Sequence, residues 1–240
     1  MLAGMDPRTH TAIVTGANRG LGLEFTRRLL GRGGHVLAGC REPGRATALN
    51  GLAGEHPGRL HVLPLDVADA RSRAAFAAEL PLVLEGRRVD LLVNNAGVLH
   101  SGERFGTLEA AGLEHSFRVN AAGPLLLVQA LAPLLADGAR IANISSRLGS
   151  MGLTTRFGTP GYALSKAALN MATVQLAHAL ADRGIVVAAF SPGWVRTDMG
   201  GSDADTSPEE AVDGVLRGID ALGESDSGRF IGTDGKTIAW

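Results

Sequence analysis

The sequence has 240 residues, which is long enough to bury a large core without a disulfide or a metal ion to stabilise it. Its net charge of −1 and its lack of any block of like charge argue against a general nucleic-acid-binding surface, and its 45% hydrophobic content excludes a disordered chain. Cys40 is the single cysteine, which rules out an intramolecular disulfide and fits a reducing compartment.

Short apolar runs alternate with longer helix-like stretches along the whole chain. The strand-like runs are residues 10–15, 35–38, 60–65, 89–93, 140–144, 185–190 and 229–231. The helix-like stretches are residues 21–30, 45–53, 70–84, 108–135, 161–182 and 208–222. Apolar runs without alternation are typical of parallel strands covered on both faces. We therefore predict an α/β fold of the Rossmann type, with about seven parallel strands and helices on both faces of a doubly wound sheet.

No linker divides the chain, so we expect a single NAD(P)-binding domain over residues 1–240, with the substrate site integrated into it. Residues 119–136 form an 18-residue stretch without a charge, but it contains Asn120 and two prolines. We interpret this stretch as a buried helix rather than a membrane span. The N-terminus shows no apolar signal core, and a cytoplasmic protein is expected.

A glycine-rich turn follows the first predicted strand. Residues 15–22 read T-G-A-N-R-G-L-G, with glycines at 16, 20 and 22, and a helix is predicted to begin there. Such glycines allow a tight turn and a close approach of backbone to a pyrophosphate at the helix N-terminus. The alternative is a turn that merely packs the helix on the strand. No Gly-Lys-Ser/Thr follows, so the turn is not a P-loop.

The tip of the second strand indicates which dinucleotide is bound. An acidic residue there would hold the ribose 2′-hydroxyl of NAD, but the chain reads Gly39-Cys40-Arg41 at this position. Arg41 and Arg19, which lies inside the glycine turn, favour the 2′-phosphate of NADP. The alternative is that both are solvated surface arginines.

Tyr162 and Lys166 are four residues apart on a predicted helix, which places them on the same face. An ammonium near a phenol favours the phenolate and lowers the pKa of the tyrosine, so the pair can exchange a proton with a carbonyl or alcohol oxygen. A chance pair on a helix surface is the alternative. Ser145 and Ser146 end the fifth predicted strand, where a hydroxyl can bond a substrate oxygen or cap a turn.

Amide side chains occupy two further positions of interest. Asn94-Asn95-Ala96-Gly97 follows the fourth strand, where amides can tie strand ends together and Gly97 leaves room for a cofactor. Asn120 lies in an otherwise apolar helix, so its buried amide needs partners and is either structural or part of a polar relay.

Together these motifs resemble a classical-type short-chain dehydrogenase/reductase, in the order of that family and over nearly the whole chain. The matching segments are residues 15–22, 66–67, 94–97, Asn120, Ser146, Tyr162-x-x-x-Lys166 and Pro192-Gly-x-Val-x-Thr197. Residues 144–150, 165–171, 191–201 and 227–240 are similar to the C-factor and sniffer carbonyl reductase branch.

The resemblance implies four catalytic residues. Tyr162 would be the general acid in reduction, and Lys166 would lower its pKa and hold the nicotinamide ribose. Ser146 would orient the substrate carbonyl, and Asn120 would hold a water that connects Lys166 to solvent. The gap from Ser146 to Tyr162 is about three residues longer than is usual in the family, and we place the extra residues in the loop 149–160.

The resemblance also implies where NADP(H) binds. Asp66 would bind the adenine amino group beside Val67, Asn94 would position a ribose, and Thr197 with the Val195 backbone would hold the carboxamide. The full predicted cofactor-binding set is Gly16, Asn18, Arg19, Gly20, Leu21, Gly22, Arg41, Asp66, Val67, Asn94, Ala96, Gly97, Tyr162, Lys166, Pro192, Gly193, Val195 and Thr197.

The sequence thus predicts an NADPH-dependent oxidoreductase that reduces an aldehyde or ketone carbonyl. A 3-oxoacyl thioester reductase and a cofactor-binding signalling protein of the C-factor type remain open as alternatives. The seven histidines are scattered, so no metal site is expected. The expected partner is a small-molecule carbonyl or alcohol substrate, with no nucleic acid and no membrane. The long apolar helices predicted over residues 108–135 and 161–182 need to be covered beyond the sheet. Such helices form the subunit interface in the family, so we expect a homodimer or homotetramer.

Overall fold

A computed structural model describes residues 10–240, and all its strands lie in one parallel sheet. The strand order is β3-β2-β1-β4-β5-β6-β7. The strands are β1 (Thr11–Thr15), β2 (His35–Cys40), β3 (Leu60–Pro64), β4 (Val89–Asn94), β5 (Leu135–Ile144), β6 (Val186–Ser191) and β7 (Phe230–Gly232). The predicted seven-stranded Rossmann-type sheet is thereby confirmed.

Helices cover both faces of this sheet. They are α1 (Gly20–Gly31), α2 (Thr47–Glu55), α3 (Ala70–Leu84), α4 (Ala110–Phe117), α5 (Gly123–Leu131), α6 (Pro160–Ala179) and α7 (Pro208–Ala221). Successive strand residues point to opposite faces. Val14 of β1 therefore packs in one core with α1, α2 and α7, while its neighbour Ile13 packs in the other core with α3, α5 and α6.

One stretch differs from its prediction. Residues 108–135 were expected to form a single helix, but α4 and α5 are joined by a π-helical turn, Arg118–Ala122, and a short 3-10 turn follows α5. Strand β5 begins at Leu135 rather than at Arg140, because the register shifts between Val89 and Leu91 on its partner β4 and adds residues to β5. The longer β5 therefore takes the place of the predicted end of the helix.

The run Ala110–Leu134 is the helical stretch of residues 10–240 whose length and mean hydropathy of 1.2 would suffice to cross a membrane. Leu127, Val128 and Leu131 of this run are buried against the sheet in the same core as α3 and α6. This is the packing of a core helix, as the sequence predicted.

The order of the strands fixes where a ligand can bind. Strand β1 pairs with β2 on one side and with β4 on the other, so the chain reverses its direction of winding between β1 and β4. In open α/β sheets the crevice beyond the carboxyl ends of the strands at such a reversal is the ligand site. The glycine turn, the residues after β4, Ser146 and Pro192 all follow strands at this edge.

Candidate active site

The glycine turn between β1 and α1 is built so that only glycine fits. Gly16 and Gly20 have positive φ angles of 63° and 52°, a region that side chains with a Cβ rarely adopt. A Cβ on Gly22 would lie 2.1 Å from the Gly16 carbonyl oxygen, and a Cβ on Gly16 would lie 2.9 Å from Ala96 Cα. The turn therefore brings bare backbone to the N-terminus of α1, as a phosphate site requires.

The two predicted phosphate-binding arginines are both exposed, and one of them is engaged within the protein. Arg19 Nη1 lies 3.0 Å from Asp198 Oδ2, which belongs to the loop after Thr197. Because both side chains are mostly exposed, this ion pair contributes little free energy and is easily exchanged for another anion. Arg41 follows the tip of β2, at the same edge of the sheet.

Asparagines tie the ends of the central strands together. Asn95 Nδ2 donates to the Thr15 carbonyl at 2.9 Å, and the Thr15 hydroxyl accepts from the backbone N–H groups of Asn95 and Ala96 at 3.0 Å each. Asn94 Nδ2 donates to Asn143 Oδ1 at 2.8 Å in the buried interior. The Nδ2 group of Asn94 is thus used within the sheet, while its buried Oδ1 has no partner among the described residues. The predicted contact of Asn94 with a ribose stays a prediction.

Asn120 occupies the π-helical turn between α4 and α5. Its amide pairs with both backbone groups of Val98, accepting from the N–H and donating to the carbonyl at 2.8 Å each. It also donates to Ser165 Oγ at 2.9 Å. Ser165 Oγ in turn donates to the Tyr162 carbonyl at 2.7 Å, so Asn120 is connected to the helical turn that carries Tyr162.

Lys166 is almost fully buried, with 3% of its surface exposed. Its Nζ donates to the Ile144 carbonyl, at the end of β5, at 2.7 Å. Burial lowers the pKa of Lys166 to about 8, because a low-dielectric environment disfavours the ammonium. Gly97 lies beside this group, and a Cβ there would approach Asn120 Oδ1 to 3.3 Å.

Tyr162 lies near both Lys166 and Ser146. Lys166 Nζ is 5.5 Å from the centroid of the Tyr162 ring. Burial raises the pKa of Tyr162 to about 12, and the nearby Ser146 hydroxyl opposes this only in part. The sequence led us to expect that Lys166 lowers this pKa, but the desolvation of the phenol is the larger effect here.

The two serines at the end of β5 have different environments. Ser145 is buried, and its hydroxyl donates to Asn170 Oδ1 of α6 at 2.6 Å. Ser146 accepts from the Leu148 N–H at 3.2 Å and reaches the phenol of Tyr162. Of the two, Ser146 is therefore the hydroxyl that lies near the phenol of Tyr162, and its role in orienting the substrate carbonyl stays a prediction.

The remaining predicted cofactor residues lie in loops after β3 and β6. Asp66 Oδ1 accepts from the Ala68 N–H at 2.9 Å, while Val67 is buried and its carbonyl accepts from Arg73 at 2.6 Å. After β6, Gly193 has a φ of 86°, and Val195 forms a bridge with Thr206. Four predicted positions remain. Asn18 and Leu21 lie in the glycine turn and at the start of α1, and Pro192 and Thr197 lie in the loop after β6.

The loop 149–160, which follows Ser146, is held by the last residues of the chain. Ser150 Oγ donates to the Ala239 carbonyl at 2.6 Å, and the Gly152 N–H donates to the Trp240 carbonyl at 2.8 Å. The Trp240 ring stacks on Phe230 of β7 with ring centroids 5.6 Å apart. The end of the chain thus supports the loop that precedes Tyr162, a contact that the sequence did not predict.

This arrangement is an α/β fold of the dinucleotide-binding type, and the edge at the carboxyl ends of its strands carries Ser146, Tyr162, Lys166 and Asn120. The sequence matches the model of the short chain dehydrogenase family over residues 10–208, and the chain belongs to that family. Within it, the C-signal of Myxococcus xanthus is 42% identical over 154 residues, which cover 63% of this chain and 93% of that protein.

Two solved structures are similar over nearly the whole chain. The NADPH-bound carbonyl reductase from chicken fatty liver has a TM-score of 0.92 and 38% identity, covering 97% of this chain and 100% of that one. Carbonyl reductase Sniffer of D. melanogaster has a TM-score of 0.91 and 32% identity, covering 96% and 99%. These similarities confirm the predicted relation to the C-factor and sniffer branch.

Proposed function

We propose that the protein is an NADPH-dependent carbonyl reductase that converts an aldehyde or ketone into an alcohol. The observation that carries this proposal is the array in which the Ser146 hydroxyl and the Lys166 ammonium both lie close to Tyr162. Tyr162 and Ser146 are two hydroxyl groups that can both approach one carbonyl oxygen. The similarity to an NADPH-bound carbonyl reductase supports the same reaction.

Tyr162 is the proton donor to the carbonyl oxygen in this proposal. With a pKa of about 12 the phenol is protonated at neutral pH, which suits an acid in the reductive direction. Ser146 orients the substrate oxygen through its hydroxyl. Lys166 and Asn120 belong to the same array. We assign to them the delivery of a proton to Tyr162, through a water held at Asn120.

The residues at the sheet edge fit a dinucleotide. A Cβ at Gly22 would collide with the Gly16 carbonyl, so the glycines keep the turn compact beside the N-terminus of α1, which supplies N–H donors for a pyrophosphate. NADPH, when bound, supplies the hydride to the carbonyl carbon. Arg41 holds the 2′-phosphate in this proposal, together with Arg19, which exchanges its exposed ion pair with Asp198 for the phosphate.

The test follows the oxidation of NADPH and of NADH with a panel of aldehydes, ketones, quinones and 3-oxoacyl thioesters. We expect turnover with NADPH, and the Tyr162→Phe variant should lose about 10²- to 10⁴-fold in kcat/KM while binding NADPH normally. Turnover of the thioesters alone would favour the acyl reductase. Binding of NADPH without turnover of any substrate would support a signalling protein instead.

We also propose that the protein forms a homodimer or homotetramer through α4, α5 and α6. Phe117, Leu164 and Met171 are each more than half exposed on these helices, and apolar surface of this kind favours association. A shallow apolar depression of about 290 Å³ lies between Phe117 and Leu164. Light scattering at working concentration should give a dimer or tetramer, and a monomer would contradict the proposal.

We further propose that the protein works in the cytoplasm. Its chain forms a single NAD(P)-binding domain that includes the substrate site, and its substrate is a small carbonyl or alcohol molecule. The buried free thiol of Cys40 supports a reducing compartment. Cell fractionation with an activity assay tests this, and activity recovered only with membranes would contradict it.

A further inference from the structure

Helix α6, which carries Tyr162 and Lys166, begins without a cap of its own. Thr159 stands at the N-cap position with φ 41° and ψ 54°, and its side chain makes no capping hydrogen bond. This left-handed conformation is uncommon for threonine, because its Cβ is branched. The first turn of α6 therefore depends on another part of the chain to bind its free backbone N–H groups.

That partner is Glu103, which lies in the segment between β4 and α4. Its Oε2 accepts a hydrogen bond from the Gly161 N–H at 2.9 Å, across 58 residues of sequence. A carboxylate at a helix N-terminus is stabilised by the helix dipole as well as by the hydrogen bond. Gly161 immediately precedes Tyr162, so Glu103 binds the helical turn that presents the phenol.

The Glu103 carboxylate packs closely against the first turn of α6. A Cβ on Gly161 would lie 2.4 Å from Glu103 Oε1, which is closer than any real contact of such atoms. The segment that carries Glu103 is shaped by Gly102 and Gly106, whose φ angles are 83° and 92°. An alanine at position 161 would therefore push the Glu103 carboxylate away from the first turn of α6.

A second contact joins the same two segments. Phe105, two residues after Glu103, packs edge to face on Phe157, with ring centroids 5.9 Å apart. Both rings are more than half exposed, so the contact adds less burial than a core pair would. The segment therefore touches the chain on both sides of Thr159, once before α6 begins and once within its first turn.

We propose that Glu103 is a positioning residue for Tyr162: its carboxylate fixes the first turn of α6 and thereby holds the phenol against Ser146. The same segment leaves β4 through Val98, whose backbone holds Asn120. One connection, from β4 to α4, thus supports both Asn120 and the helix of Tyr162. The inference rests on the proposed function, in which Tyr162 is the proton donor.

The chain has one tyrosine, so the ionisation of Tyr162 can be measured without interference from another phenol. Near-ultraviolet difference absorbance during rapid pH jumps should titrate Tyr162 near its raised pKa of about 12 in the wild-type protein. In Glu103→Ala the first turn loses its anchor and the phenol becomes hydrated. Its pKa should then fall toward the ordinary value, about 10.

Variants separate positioning from general stability. Glu103→Gln keeps an oxygen acceptor for the Gly161 N–H, so it should restore the titration of the wild type. Glu109→Ala is the matched control, because Glu109 is an exposed glutamate of the same segment whose side chain makes no capping bond. Gly161→Ala should lower the pKa of Tyr162 as Glu103→Ala does, and the pKa in the double variant should fall no further than in either single variant.

Kinetics give the second readout. We expect Glu103→Ala to lower kcat for carbonyl reduction about tenfold or more while the Kd for NADPH stays within about twofold, because only the proton donor is displaced. A Glu103→Ala protein that keeps both the wild-type titration and the wild-type kcat would overturn the proposal. The titration needs no substrate, so a failure of the proposed reductase activity would be seen separately.

Discussion

Replacing Lys166 by methionine should change how the stability of the protein depends on pH. Burial lowers the pKa of Lys166 from 10.5 to about 8, and the residue is 3% exposed. Each unit of difference between the folded and unfolded pKa is worth about 1.4 kcal/mol. The buried ammonium therefore lowers the free energy of unfolding by about 3 kcal/mol at neutral pH.

The sign follows from the lowered pKa. Between pH 8 and pH 10.5 the unfolded chain holds the proton of Lys166 and the folded protein has lost it. Stability must therefore rise with pH across this window, while below pH 8 the cost of burial is complete. Methionine does not titrate, so the wild type should gain about 2 kcal/mol relative to Lys166→Met between pH 7 and pH 9.5.

Urea unfolding of the two proteins at a series of pH values measures this difference. The lost hydrogen bond to the Ile144 carbonyl adds an offset that does not depend on pH, so it cancels in the trend. Lys236→Met is the control, because the Lys236 side chain is 84% exposed and the difference should stay flat. A flat difference for Lys166→Met as well would refute the reasoning, since it would mean that the folded protein keeps Lys166 hydrated.

Three further predictions concern the active site, the cofactor and the core. The value of kcat for carbonyl reduction should fall above about pH 8 with unit slope, because Lys166 loses there the proton that it returns to Tyr162; a decline that begins only above pH 10 would contradict this. Gly22→Ala should abolish NADPH binding in a fluorescence titration, because its Cβ would lie 2.1 Å from the Gly16 carbonyl, whereas Gly31→Ala, with open space around it, should bind normally. Leu80→Ala should lower the free energy of unfolding in urea by about 2–5 kcal/mol, because Leu80 is fully buried in α3, and a change below about 1 kcal/mol would show that its core collapses around the deletion.

The strands were the easiest part of the fold to predict from sequence. A parallel strand covered on both faces must be apolar throughout, so the run of residues 185–190 predicts β6, which is observed at Val186–Ser191 and is buried along its whole length. The glycine turn was also predicted from its spacing of glycines, and the structure gives the reason for that spacing, since Gly22 has no space for a Cβ. Patterns of this kind involve residues that are close together in the chain, so a single sequence is enough to reveal them.

The contacts that connect the catalytic residues are not local. Ser165 joins Asn120 to the Tyr162 backbone across 45 residues, and Glu103 reaches Gly161 across 58. Neither residue type nor spacing identifies such a pair, since a sequence does not distinguish a half-buried glutamate in a loop from a solvated one. The π-helical turn at Asn120 was missed for the same reason, because the interior that surrounds it decides whether the helix widens there.

Burial shifts the two central pKa values in opposite directions, and both shifts favour reduction over oxidation. Lys166, with a pKa of about 8, is a stronger acid than Tyr162, with a pKa of about 12. Once Tyr162 has given its proton to the substrate oxygen, proton transfer from the ammonium to the phenolate is downhill. Lys166 is therefore suited to restoring the proton of Tyr162 after each turnover.

Alcohol oxidation needs the opposite state, a Tyr162 that can accept a proton. Because the phenol holds its proton up to about pH 12, the rate of alcohol oxidation with NADP should rise with pH through the range in which reduction declines. Initial rates in both directions, measured on one substrate pair from pH 6 to pH 10.5, check this, with Tyr162→Phe as the control for background oxidation. An oxidation rate that levels off near pH 7 would mean that the phenol ionises far more readily than its burial allows, and the assignment of Tyr162 as a protonated donor would then be wrong.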